Sequence, residues 1–401
     1  VTRSRPAALA AAAAALLLAL AGPVGAEPGE WSGEFALETR LFPADALHAG
    51  QVRHNASLAA EPEYWRPFGP HSVTVRPFAR IDSADAERTH ADLREGFASL
   101  VFDRAELELG VRKVFWGVTE VRHVVDVVNP TDAVEHPDTE DKLGQPMAHL
   151  IVPKDWGQFE AFLMPWFRER TFPGRRGRLR GPLVVDTNQA FYESAQGRHH
   201  PDWALRYKRF FGPWEVGLSH FRGTGREPTL VPGTDGGGNP VLVPYYEIVG
   251  QSGVDAQWIV GEWLLKFEGV RRTGQGAPFY AWDTGFEYTF VAVAGTRMDL
   301  GVLGEWLRDT RGAAATTPFD HDLAAGLRLT VNDLSSTECL LATVADPATG
   351  GWSAYLEGSR RVAERVTLEV EARLFGGMPA DDLLYGSRRD DHLQLTLAYH
   401  Y

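Results

Sequence analysis

The residues best placed to do chemistry lie between Trp116 and Met147. That stretch carries Glu120, Asp126, Asp132, Glu135, Asp138, Glu140 and Asp141, with Arg122 and Lys142 as its only Arg or Lys. If such a segment lined a water-filled passage, its carboxylates would favour cations or the cationic parts of a solute. Glu120, Arg122, Asp126, Asn129, Asp132 and Lys142 are on that ground candidates for a constriction. Asp126, Asn129 and Asp132 equally suit turn capping, because Asn and Asp bond nearby backbone and Asn129 precedes Pro130. Both readings stand. Asp138 to Asp141 read as a solvated charge run.

A second charged stretch has the opposite sign: Arg168, Arg170, Arg175, Arg176, Arg178, Arg180 and Arg198 against Glu169, Asp186 and Glu193. Guanidinium groups in this number match lipopolysaccharide phosphates, or they fold over a pore mouth, or they are simply solvated. Recognised catalytic patterns are missing from the chain. It has no Gly-x-Ser-x-Gly elbow, no His-Glu-x-x-His pair, no Walker loop and no Cys-x-x-Cys site. The glycines of Thr234 to Asn239 read as a loop tip. His199-His200 and His136 with Asp138 are weak metal candidates, so neither a metal nor a cofactor is expected. Ser219-His220 and His54-Asn55 are neighbours in sequence, but adjacent strand residues point to opposite faces, which counts against a hydrolase site.

The elements that would position these residues are strands. Residues 1–26 read as a cleaved signal peptide: Arg3 and Arg5, an apolar run from Ala7 to Ala21, then Val24-Gly25-Ala26. The formal charge of the whole chain is -13, and losing Arg3 and Arg5 makes the rest two units more negative. Nucleic acid is therefore excluded as a partner. Beyond residue 26 no apolar run is long enough for a spanning helix, and the single Cys339 permits no intrachain disulfide. Residues 27–401 instead show period-2 alternation throughout. In the last segment Leu393, Leu395, Leu397, Tyr399 and Tyr401 share one face. Before it, Val366, Leu368, Val370 and Leu374 oppose Thr367, Glu369, Glu371 and Arg373.

Tight joints alternate with long ones rich in Gly, Pro and charge, and Trp and Tyr cluster near strand ends. This is the layout of an all-β, antiparallel, up-and-down transmembrane barrel of about 18 strands, within a range of 14–18. Apolar faces then meet lipid and polar faces meet a lumen. Arg76, Arg80, Glu106, Glu108, Arg112, Arg328, Glu369, Glu371 and Arg373 are the lumen-facing candidates. Residues of about 116–147 form the third external loop.

Lys113 to Arg122, with Trp116-Gly117 ending a strand and Asn129-Pro130-x-Asp132 following, resembles a poorly characterised family of proteobacterial outer-membrane proteins allied to porins and alginate-export barrels. The resemblance is topological over the mature chain and specific in sequence only across about residues 105–150. It implies a Gram-negative outer-membrane location and, by the habit of general porins, a third loop folded into the lumen. The terminal aromatic Tyr401 resembles the signal read by the barrel-assembly machinery. The expected function is a porin-like channel for passive diffusion of a small solute, with no enzymatic activity. An export conduit or accessory barrel of a periplasmic complex is the alternative, and an outer-membrane hydrolase is a weaker one. Expected partners are outer-membrane lipid and lipopolysaccharide, the assembly machinery, the solute and, as in many porins, further copies of the chain.

Overall fold

Hydrocarbon offers no hydrogen-bond partners, so strands that cross a membrane must satisfy every N–H and C=O within a closed sheet. The computed structural model describes residues 28–401 except Pro137, and it has this closure. The signal peptide expected over residues 1–26 lies outside the described residues. The strands are β1 Glu30–Leu41, β2 His54–Phe68, β3 His71–Asp82, β4 His90–Phe102, β5 Ala105–Arg112, β6 Gln145–Lys154 and β7 Gly157–Met164. They continue as β8 Phe191–Tyr192, β9 Asp202–Phe211, β10 Trp214–Thr224, β11 Thr229–Thr234, β12 Pro240–Tyr246, β13 Ile248–Val260 and β14 Trp263–Gly274. The last are β15 Gly276–Phe290, β16 Asp299–Asp309, β17 His321–Thr330, β18 Glu338–Ala345, β19 Trp352–Ala363, β20 Val366–Gly376 and β21 His392–His400. Eighteen of them form one sheet of antiparallel neighbours. β1 pairs with both β2 and β21, from Glu34 opposite His400 to Leu41 opposite Leu393, and this seals the cylinder.

The alternation has its expected consequence. Phe35, Leu37 and Leu41 of β1 stand on the outside, as do Leu323 and Leu327 of β17 and Leu393 and Leu397 of β21. Glu38 and Arg40 of β1 are buried on the inside. Among the described residues no helix is long and apolar enough to cross a membrane. Outward Trp31, Trp156, Trp214, Trp263 and Trp352 lie at strand ends, where an indole can keep its apolar body in lipid and its N–H wet. Close strand approach is enforced at Gly110, whose φ is +141° and where a Cβ would come within 2.2 Å of the Gly96 carbonyl oxygen.

The structure differs from the sequence reading in two places. β11 and β12 form a hairpin that β8 joins in parallel, a small sheet outside the barrel where only loop was expected. The tip at Asp235 to Asn239 is its turn: the Asp235 carboxylate accepts from the amides of Gly237 and Asn239. One external joint, between β14 and β15, is a single residue, Gln275, because Gly274 and Gly276 both adopt positive φ and close the hairpin. β2 runs on to Phe68, pairing Trp65 with Thr74 and Phe68 with His71.

Leu327→Arg, on the lipid face of β17, should lower folding stability by about 2–4 kcal/mol in vesicles if it lies near the bilayer midplane, whereas Ala324→Ser on the inner face should cost less than about 1 kcal/mol. Urea unfolding followed by tryptophan fluorescence reads both, and equal costs would contradict the assignment of faces.

Candidate functional site: a segment tethered to the inner wall

Residues 113–144, between β5 and β6, make their side-chain and backbone contacts with the inward faces of strands on opposite sides of the barrel. Gly117 begins the crossing at φ +153°, where a Cβ would lie 2.9 Å from the Glu268 Oε1. Only glycine lets the chain come so close to that carboxylate. Glu268 Oε1 accepts from the Val118 amide at 2.6 Å, the Thr119 amide at 3.0 Å and the Thr119 hydroxyl at 2.7 Å, and Oε2 accepts from the Val125 amide at 3.2 Å. On β16, Glu305 takes the amides of Glu120 at 2.7 Å and Val121 at 2.9 Å. These amides have no partner in a helix or strand, and the carboxyl oxygens of two wall side chains supply their acceptors. The Glu120 carboxylate then reaches Arg328 at 2.6 Å and Lys266 at 3.6 Å.

The opposite wall works with reversed polarity. Here the segment brings carboxylates and the strands bring guanidinium groups. Glu135 accepts from Arg80 Nε and Nη2, each at 2.7 Å, and lies 2.7 Å from His90 Nε2. Arg88 donates to the Val134 carbonyl at 3.0 Å and Arg40 to that of Glu135 at 2.7 Å. Asp132, fully buried, pairs with Arg94 and accepts from the Thr171 hydroxyl at 2.6 Å. From β20, Glu371 meets His136 at 2.7 Å and Arg373 meets Asp138 at 3.0 Å. Asn129 closes the root of the segment: its Oδ1 accepts from the Val114 amide, and its Nδ2 donates to the carbonyls of Arg112 and Leu143. Between the two walls the apolar stretch Val124, Val125, Val127 and Val128 packs with Trp116, Phe162 and Phe221.

The sequence-derived candidates thus fall into groups. Glu120, Asn129 and Asp132 are engaged as above, and Asp126 pairs with Lys142 at 3.1 Å. Arg122 stands apart, with no carboxylate in ion-pair range among the described residues. Of the lumen candidates, Arg80, Arg328, Glu371 and Arg373 hold the segment directly. Arg112 and Glu108 pair with each other at 3.0 Å, and Glu108 also meets His149 at 2.9 Å. Arg76 pairs with Glu61 at 2.5 Å, Glu106 accepts from Ser99 at 2.5 Å, and Glu369 is exposed on the inner face of β20. Asp138 is an anchor rather than part of a solvated run, because Arg373 and His136 reach it; Glu140 and Asp141 are exposed as expected. Glu268, Glu305, Arg88 and Arg94 were missed: Glu268, Glu305 and Arg94 sit in the inward phase of their strands, where the alternation that marked Arg80 marks them too, whereas Arg88 comes from the turn between β3 and β4, where no alternation could show it.

The basic external stretch also resolves. Arg168 pairs with Asp92 at 2.5 Å and donates to the Gly144 carbonyl, while Arg178 is buried against Asp390 at 2.6 Å with Phe42 beneath it. These two fasten one loop to its neighbours. Arg175 and Arg176 face outward. Ser219 and His220 point to opposite faces as expected, and His220 meets Ser252 instead. His200 meets Asp202 at 2.9 Å. His90, Asp132 and Glu135 come within 4.8 Å of one another, the spacing of a metal site. Arg80 already pairs with Glu135 and Arg94 with Asp132, so the donor set does not fit a cation.

Sequence comparison gives no match to a family model or to a curated protein. Structure comparison does give matches. The outer-membrane protein OccD3 (OpdP) of Pseudomonas aeruginosa superposes with a TM-score of 0.53 at 11% identity, covering 95% of this chain and 93% of that one. Wzi of Escherichia coli, described as a carbohydrate-binding β-barrel involved in group 1 capsule assembly, gives 0.53 at 10% identity, over 91% of this chain and 83% of that one. OpdQ of Pseudomonas aeruginosa gives 0.51 at 9% identity, over 93% and 96%. The chain is an outer-membrane β-barrel. At these identities the likeness is one of fold: it covers the whole cylinder and leaves the contents of the lumen to be read from this chain's own residues.

The tethers titrate in opposite directions. Burial alone would push the Glu135 carboxyl up, but the bond to His90 and the charges of Arg80, Arg88 and Arg94 bring it down to about 2. Burial would push His136 down, but Asp138 and Glu371 raise it to about 9. The contribution of Glu135 is complete above its ordinary value of 4.5 and is lost as pH falls toward 2; that of His136 is complete below 6.5 and is lost as pH rises through 9. The segment should therefore be held most firmly between pH 4.5 and 6.5. Hydrogen exchange of the amides around residues 130–136 should quicken from pH 6.5 to 9 beyond the intrinsic base-catalysed rise. His136→Gln should abolish that extra acceleration; its persistence would remove His136 from the tether.

Proposed function

We propose that the protein is an outer-membrane channel for passive diffusion of a small solute, narrowed by residues 113–144. The observation that carries this reading is the two-sided tether: amides bonded to Glu268 and Glu305 on one wall, and carboxylates paired with Arg80, Arg94 and Arg373 on the other. A segment anchored on both sides narrows the lumen without leaving it free to fill with disordered loop. Water still reaches the inner face beyond it, since the Glu357 side chain on β19 is 44% exposed and Arg328 is 36% exposed. A wall of ionised groups that stays wet is what an aqueous path requires. Glu120, Asp132, Glu135 and Asp138 are in this reading anchors more than a cation filter, because their charge is spent on wall cations. No enzymatic step enters, and outer-membrane lipid, lipopolysaccharide at Arg175 and Arg176, and the assembly machinery at the strand ending in Tyr401 are the accompanying partners.

The density of buried ion pairs along the segment favours one second reading, an accessory or export barrel whose lumen is closed at rest. Planar-bilayer recording separates the two. The purified protein should give discrete conductance steps, and replacing residues 118–141 by a short Gly-Ser linker should raise the single-channel conductance several-fold, by about two- to five-fold if the segment sets the narrowest point. Silent wild-type protein that conducts only after this replacement would favour the closed barrel. Unchanged steps would take the segment out of the constriction.

A further inference from the structure

The charge accounting of the lumen leaves one remainder. Most arginines and lysines that reach the segment face a carboxylate, as Arg80, Arg94, Lys142, Arg328 and Arg373 do. At the external end of β14 and β15 this balance fails. Arg272 donates to Gln251 Oε1 at 2.8 Å and to Glu227 Oε2 at 3.3 Å. Arg311 grips Asp309 through two nitrogens, at 3.0 and 2.7 Å, with its guanidinium carbon 3.7 Å from the centre of the Phe279 ring. Arg272 lies over the same ring at 5.9 Å. Arg170 rests 5.4 Å over Phe172, and its enclosed Nε finds no acceptor. Arg122, from the tethered segment, completes the group with no carboxylate in ion-pair range among the described residues, although Glu227, Arg272, Asp309 and Arg311 all act on it electrostatically. Lys142 is nearby but is neutralised by Asp126.

We propose that Arg122, Arg170, Arg272 and Arg311, gathered around Glu227, form an anion site that takes a carboxylate or phosphate oxyanion of a small solute. Glu227 and Asp309 take up Arg272 and Arg311, so among the described residues the guanidinium groups of Arg122 and Arg170 are the two of this group that no ion pair engages. All four arginines are half-buried, neither sealed in nor fully hydrated. Two are held in fixed poses by Asp309, Gln251 and Phe279, while the enclosed Nε of Arg170 is left without an acceptor. Guanidinium forks match the paired oxygens of carboxylate and phosphate, and partial desolvation strengthens each such bond. A neutral solute would gain nothing from the surplus charge, and a cation would be repelled by it. The Glu227 carboxyl reports this field: burial would raise it, yet Arg272, Arg122, Arg170 and Lys142 bring it down to about 2. The site deepens the channel reading and depends on it only for the solute's route.

Calorimetric titration of the purified protein in detergent with sodium phosphate tests the site without requiring conduction. Saturable binding is expected. Arg122→Gln with Arg170→Gln should weaken it by at least about tenfold, and Glu227→Gln, which removes the competing carboxylate, should tighten it about threefold. Heat-modifiable gel mobility checks that each variant is a folded barrel. Should the double variant fail to fold, Glu227→Gln still decides by the direction of its effect. Absence of saturable binding, equal binding in the double variant, or weakening in Glu227→Gln overturns the site. In bilayers free of lipopolysaccharide, phosphate should also block the chloride current of the wild type. Current that ignores phosphate would overturn the site and leave the channel standing, while phosphate binding by a protein that never conducts would do the reverse. Binding seen only after lipopolysaccharide is added would assign the guanidinium groups to a lipid headgroup and overturn the solute site.

Discussion

Everything in this molecule follows from the pairing of β1 with β21. A strand in hydrocarbon that lacked a neighbour would leave a row of N–H and C=O groups unsatisfied, each costing several kcal/mol. The eight pairs from Glu34–His400 to Leu41–Leu393 remove both edges at once. Once the sheet is closed, period-2 alternation stops being a local pattern and becomes a division of space. Leu37 must face lipid and Glu38 must face the interior, because the two are neighbours on one strand. The interior then receives every ionisable side chain of the inward phase, and those charges need water or one another.

That need explains why a segment with no more than isolated bridges of its own can be held across the lumen. Its amides would be costly to desolvate alone, and the wall carboxylates Glu268 and Glu305 would be costly to bury alone. Bonded together, the two sets compensate. The other wall repeats the solution with its signs exchanged, since Asp132 and Glu135 come from the segment and Arg94 and Arg80 from the strands. Breaking any one such buried pair would leave an unpaired charge at a cost of about 3–5 kcal/mol. The gain is less in net stability than in position: bonds from opposite walls fix the segment at both sides of its path.

Much of this was legible in the sequence, and for a stated reason. Alternation is a local signal, so the barrel strands, their approximate ends and the inward phase of Arg80, Glu371 and Arg373 could be read directly. The turn chemistry of Asn129-Pro130 was equally local, and Asn129 does cap the root of the segment. What could not be read was pairing across the lumen. Nothing near Glu120 in sequence points to Arg328, which lies 208 positions away, or near Glu135 to Arg80, 55 positions away. The small external sheet escaped for a different reason. Its strand β8 has only two residues, and β11 and β12 are interrupted by Pro232, Gly233 and Pro244, so no run was long enough for alternation to show.

The distinction between a charge that anchors and a charge that remains available matters most for reading function. Counting acids over residues 116–147 suggests a cation path, because a sequence count weights Glu120, Asp132 and Glu135 equally whether or not they have partners. Geometry changes the weights. A carboxylate bonded to a guanidinium presents little net field to a passing ion, whereas a guanidinium without a carboxylate presents nearly all of its own. By that measure the charges of Glu120, Asp132 and Glu135 are largely cancelled, and among the described residues pairing leaves over Arg122 and Arg170 at the proposed site. In the proposed channel the unpaired remainder, which differs in sign from the inventory, would govern selectivity.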